Sequence, residues 1–161
     1  MQIVVMQISG QGIQISSLSL IPLVCLTLLV SCSEPTPTPE LEVTAERWYS
    51  AAQVDQGAGV FGDNCARCHG DLAQGLVADW RQKLDDDSFP PPPLNGSAHA
   101  WHHPRSVLLQ VIDNGGAEFG GKMPGFASIL DEQQKLAAIA YIQSLWSDET
   151  YSKWLLMGGT N

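Results

Sequence analysis

The densest chemistry in this chain lies in Cys65-Ala66-Arg67-Cys68-His69. Two thiols three positions apart fall on one side of a helical turn, and an imidazole follows directly. Thiol pairs at this spacing bind zinc, exchange disulfides or bond to the vinyl groups of a haem, and the added histidine points to the haem reading. Its ring reaches the iron from the side on which the thioethers form. A zinc site needs two further ligands in a compact group, and no second C-x-x-C is present. A thioredoxin-type pair opens a helix beside a strand, whereas this one closes a helical pattern in a chain without strand-like alternation. The expectation is one covalent haem c, held by Cys65 and Cys68 and ligated by His69.

The other face of the iron needs a ligand. Of four methionines, Met1 and Met6 lie in an apolar leader and Met157 lies near the C-terminus. Met123 sits in Gly120-Gly121-Lys122-Met123-Pro124-Gly125-Phe126, a loop ahead of the last strong helical pattern, and is the favoured candidate. A methionine in a loop also serves to fill a core gap. His99, His102 and His103 are rival ligands, and bis-His ligation would give a lower potential than Met/His. Two other roles stay open for them: caps for a helix beginning at Pro104, or a separate copper or zinc site. Trp101, Arg81 and Arg105 are candidates to pair with haem propionates. Asp85-Asp86-Asp87 reads as a solvated turn, with Ca²⁺ binding as the alternative.

Three helices must position these residues. Val54, Gly57, Ala58 and Phe61 repeat at helical spacing and predict a helix over 51–64, directly before Cys65. Each of Gly57 and Gly59 costs about 1 kcal/mol there relative to Ala, and a glycine on the apolar face means close packing. Val107, Leu108, Val111 and Ile112 form the stripe of a second helix, with Pro104 at its first position and Gly115 ending it. Asp131 and Gln134 form a capping box for a third, with Leu136, Ile139, Ala140, Tyr141, Ile142, Leu145 and Trp146 on its buried face. A short fourth helix is predicted near 148–156. The fold class is therefore all-α, with about three to five helices and long loops such as SFPPPPLNGS. A large buried prosthetic group supplies the cohesion that such loops lack.

Gly57, Phe61, the Cys65–His69 motif, Pro92-Pro93-Leu94-Asn95-Gly96, Lys122-Met123-Pro124 and Tyr141 together resemble a class I, mono-haem cytochrome c. The resemblance spans about residues 50–146. It implies the cytochrome c-like fold, in which the first and last helices cross near Gly57 and Tyr141. It also implies that a proline carbonyl, by position Pro92, takes the hydrogen bond of His69 and raises the ligand's basicity. The function it implies is single-electron transfer with no catalytic residues, in a respiratory or periplasmic redox chain. The alternatives are a haem enzyme or sensor with a displaceable sixth ligand, and a subunit of a larger oxidoreductase.

Charge divides the chain. Of 161 residues, all 8 Lys+Arg and all 17 Asp+Glu lie after residue 33, so the body carries the whole net charge of −9. An acidic body argues against nucleic acid and fits redox partners with a basic docking surface. Residues 18–30, LSLIPLVCLTLLV, have the length of a signal-peptide core and not of a membrane span. They run into Leu29-Val30-Ser31-Cys32, which resembles a bacterial lipobox, although residues 1–17 lack the usual Lys or Arg. The expected organisation is a lipoprotein signal over 1–31, lipidation at Cys32, a Pro/Thr-rich tether over 32–46 and a cytochrome c domain over 47–161. That places the domain in the bacterial envelope, on the periplasmic side, anchored to a membrane by lipid. A plain secretory signal is the competing reading. No role is expected for Cys25.

Overall fold

The structure, a computed structural model, describes residues 46–161. The predicted signal segment, Cys32 and nearly all of the tether lie outside the described residues. Five α-helices follow in order: α1 Ala51–Asn64, α2 Ala66–His69, α3 Arg105–Asn114, α4 Glu132–Ser144 and α5 Asp148–Leu156. Single 3-10 turns occupy Ala100–His102 and Ala117–Phe119. Among the described residues the only β pairing is the isolated bridge between Phe89 and Gly121. The expected all-α class and helix number hold. No helix among the described residues is long and apolar enough to cross a membrane.

The helix limits follow from local chemistry. Ser50 caps α1 through a capping box with Gln53, and Asp131 caps α4 through one with Gln134. Each box satisfies two backbone N–H groups that have no partner within the helix. Ser147 caps α5 by accepting from Thr150 N.

At α3 the expectation fails in detail. Pro104 is the N-cap, with extended ψ, and no side chain caps the helix. His102 and His103 are therefore not caps. The C-terminal tail does that work: Arg105 N donates to Gly159 O at 2.7 Å and Ser106 N to Asn161 O at 3.1 Å. Arg105 is held there too, donating to Thr160 O and lying over the Trp48 ring.

The core has two parts. In the first, α1 crosses α4 at Gly57, where a Cβ would overlap the carbonyl of Ala137 and stand 3.0 Å from Tyr141 Cβ. Phe61 packs on Tyr141 at a ring-centroid distance of 5.1 Å. Ala137, Ala138, Ile139 and Ala140 are all buried, so mid-α4 is covered on most of its circumference and not along a single stripe. The predicted face is only partly right: Leu136, Tyr141, Ile142 and Leu145 stay half-exposed.

The second part gathers Ala100, Trp146, Tyr151 and Trp154, with Trp48, Tyr49 and Leu94 against them. Gln143 joins the two, fully buried on α4 and accepting from Trp48 Nε1 at 2.6 Å. Trp48 N donates to the Tyr151 hydroxyl at 3.1 Å. These two bonds tie the entry of the chain to α4 and α5.

Candidate functional site

Cys65, Cys68 and His69 share one turn. Cys65 breaks α1, and its carbonyl accepts from both Cys68 N and His69 N at 3.0 Å. The single turn α2 ends at Gly70, whose φ of 81° is open to glycine and strained for other residues. Both thiols are free and half-buried. Burial, and then the neighbouring Cys68, push the Cys65 thiol up to about 11. That runs opposite to the lowered thiol pKa of a disulfide-exchange pair.

His69 is buried, with 7% of its surface exposed. Its Nδ1 lies 2.9 Å from Pro92 O. A carbonyl can only accept, so Nδ1 carries the proton and Nε2 presents a lone pair. Burial lowers the imidazole pKa, and the Pro92 bond opposes this only in part. The ring is thus neutral, oriented and ready to act as a ligand, the state a metal requires.

Pro92 is itself held in place, since Leu94 N and Asn95 N both donate to Ala73 O, and Trp146 Nε1 donates to Leu94 O at 2.7 Å.

Met123 is placed by a different part of the fold. Its carbonyl accepts from Gly116 N at 3.0 Å, and Phe126 N donates to Ile112 O at 2.8 Å. The loop therefore lies along the C-terminal end of α3. Gly115, at φ 83°, and Gly125 permit this approach: a Cβ on Gly115 would overlap Met123 O, and one on Gly125 would stand 2.5 Å from Asp113 O. The flanking segment also takes part. Phe89 N donates to Gly120 O at 2.8 Å, and Lys122 pairs with Asp86. Hydrogen bonds from Lys122 and then Ser88 hold the Asp86 carboxyl down at about 2.

The fit to a haem rests on His69 and on apolar surface left uncovered. No residue of α3 is fully buried, although Val107, Leu108, Val111 and Ile112 form the expected stripe. Leu72, Leu76, Phe119 and Ile129 are each at least 60% exposed. A haem has the large apolar face that such surface would cover. The residues present fit the group.

The histidines do not gather as a second metal centre. Among the described residues no group of three His, Cys, Asp or Glu side chains is arranged to hold a metal ion. His99 stacks on Trp80 at 4.6 Å and meets the His103 ring edge-on, while His102 turns to Trp101. Aromatic packing thus takes the place of the copper or zinc site considered for His99, His102 and His103. The Asp run is the expected exposed turn, within which Asp86 accepts from Ser88 N, Ser88 Oγ and Lys122 Nζ. Sequence reasoning named Asp86 only as part of an acidic run and missed Phe89 and Gln143. The density of glycines around Met123 was a signal for Phe89, which packs on Gly120; Gln143 left none.

Residues 52–142, more than half of the chain, match the family described as cytochrome C oxidase, cbb3-type, subunit III. The chain is 32% identical over 95 residues to the cbb3-type cytochrome c oxidase subunit CcoP of Azospirillum sp. (strain B510), covering 59% of this chain and 29% of that protein. It is 31% identical over 100 residues to the same subunit of Azospirillum brasilense, covering 62% and 31%. It is 31% identical over 110 residues to the subunit FixP of Sinorhizobium medicae (strain WSM419), covering 65% and 34%. The chain thus spans about a third of the length of these curated relatives. No solved structure matches it.

Proposed function

Because this chain belongs to the family of cytochrome c oxidase, cbb3-type, subunit III, we propose that it is a single-electron carrier with one covalent haem c, serving a respiratory or periplasmic redox chain. The observation that carries this reading is the Cys65–His69 turn with His69 Nδ1 committed to Pro92 O. Bound haem supplies one-electron exchange at its iron. The chain does the rest. Cys65 and Cys68 would attach the group. His69 Nε2 would ligate the iron, and the Pro92 carbonyl fixes the ring's tautomer and plane. The Met123 thioether would supply the second protein ligand and raise the potential. With both positions filled by protein, the chain carries electrons and does not turn over a substrate. Its charge of −9 favours redox partners with a basic docking surface.

A redox titration of the purified holoprotein, followed by visible spectra, tests this. The ferric protein is expected to show the long-wavelength charge-transfer band of thioether coordination. Met123→Ala should lose that band and drop in potential by roughly 0.1 V or more, within the ~0.8 V span that axial ligands command. Absence of the band in the unsubstituted protein would exclude Met123 as the ligand and leave bis-His ligation or an open iron, the latter with an enzyme or sensor.

The proposal extends to the envelope. Lipidation at Cys32, with residues 32–46 as tether, is supported by the apolar run ending in Leu29-Val30-Ser31-Cys32 and by the Pro/Thr alternation after it. Mass spectrometry of detergent-extracted protein should find a diacylglycerol-modified Cys32 at the N-terminus. An unmodified N-terminus would return the chain to the plain secretory reading.

A further inference from the structure

One short segment contacts His69 and the loop that carries Met123. At its start, Asp86 pairs with Lys122, the residue next to Met123. Three residues on, Phe89 N donates to Gly120 O at 2.8 Å, and Phe89 forms its bridge with Gly121. The Phe89 ring also covers Gly120, where a Cβ would lie 3.3 Å from Phe89 Cδ2. Three residues further, Pro92 O accepts from His69 Nδ1.

The span between the two ends is Pro90-Pro91-Pro92. Consecutive prolines fix φ and hold an extended form of about 3.1 Å per residue. The segment is therefore stiff between its attachments. At its far end it is closed on itself: Leu84 N donates to Ser88 O at 2.9 Å, and Ser88 N donates to Asp86 Oδ1 at 3.1 Å. Asp86 is thereby fixed in position before it meets Lys122.

We propose that Asp86–Pro92 is a strap that sets the Met123 loop relative to His69, with Asp86 and Phe89 as positioning residues for the sixth ligand. This rests on the reading of Met123 as that ligand. The loop's other backbone attachments, at Gly116 and at Ile112 O, reach it from α3 and the turn that follows α3. The strap is the connection that runs from the loop to the His69 side. Loosening it raises the fraction of time that Met123 stands away from the iron, without unfolding the body.

Cyanide reports that opening, because it reaches ferric iron only when the thioether has left. The experiment compares cyanide-binding rates of the full-length ferric holoprotein with those of Asp86→Asn and Phe89→Ala, alongside the charge-transfer band and the denaturant midpoint. Asp86→Asn is expected to bind cyanide about two- to five-fold faster, the range that an exposed ion pair supports. Phe89→Ala should be faster still, with the denaturant midpoint nearly unchanged in both. Asp86→Glu, which keeps a carboxylate for both Lys122 and Ser88, should keep the slow rate, which a general loosening of the fold would not do. If the unsubstituted protein shows the band and Asp86→Asn and Phe89→Ala both bind cyanide at its rate, the strap is overturned and the Met123 ligand stands. If the unsubstituted protein lacks the band, both are overturned.

Discussion

Replacing Gly57 with Ala is expected to destabilise the domain by more than ~3 kcal/mol, the upper part of what overpacking costs. The obstacle at that site is a carbonyl: a Cβ would overlap Ala137 O and press on Tyr141 Cβ. A side chain in the way can change rotamer, but a backbone oxygen inside α4 moves only with its helix. The crossing would have to open, and the buried run Ala137–Ala140 would lose its packing. With domain stabilities of about 5–15 kcal/mol, that is a large fraction of the whole. Gly59→Ala provides the contrast. It lies in the same helix with nothing within 4 Å of its would-be Cβ, so only helix propensity acts, and about 1 kcal/mol of stabilisation is expected. Denaturant midpoints of the two variants should move in opposite directions. Equal shifts would mean that the crossing at Gly57 is not as close as described.

The second large effect is on cofactor retention. Cys65→Ala/Cys68→Ala is expected to reduce covalently bound haem from one per chain to none, read by haem staining after denaturing electrophoresis. Each single variant should keep one thioether and stain. Full staining of the double variant would exclude these thiols as attachment points. The apoprotein should also unfold at lower temperature, because the α3 stripe and the exposed Leu72, Leu76, Phe119 and Ile129 lose the group proposed to cover them. A small domain has little spare apolar burial to compensate.

The parts of this protein that were legible in its sequence are those whose causes lie within a few residues. The Cys65–His69 turn, the limits of α1, the capping box at Asp131 and the short α5 are set by neighbours one to four positions apart. So is the inward face of Gly57, because a glycine in an apolar stripe is itself a local signal. The same local logic placed α4 but misplaced part of its buried face. It sought one amphipathic stripe, whereas small alanines let other elements pack closely around the middle of the helix.

His102 and His103 were misread for a related reason. They precede a helix start, where polar side chains often cap, but Gly159 and Asn161 reach α3 from the far end of the chain.

The sequence alone therefore determined the helices and the chemistry of one turn, since backbone hydrogen bonding and thiol spacing are short-range. The family resemblance already implied Pro92 as the acceptor from His69, and the structure bears it out; only the tertiary structure decided what else holds that turn and the Met123 loop in place. Pro92 is 23 residues from His69, Asp86 is 36 from Lys122, and Gln143 is 95 from Trp48. None of these pairs leaves a periodic trace in the sequence. A carbonyl that fixes an imidazole, or the carboxylate of three that meets the distant Lys122, is selected by where the chain returns in space.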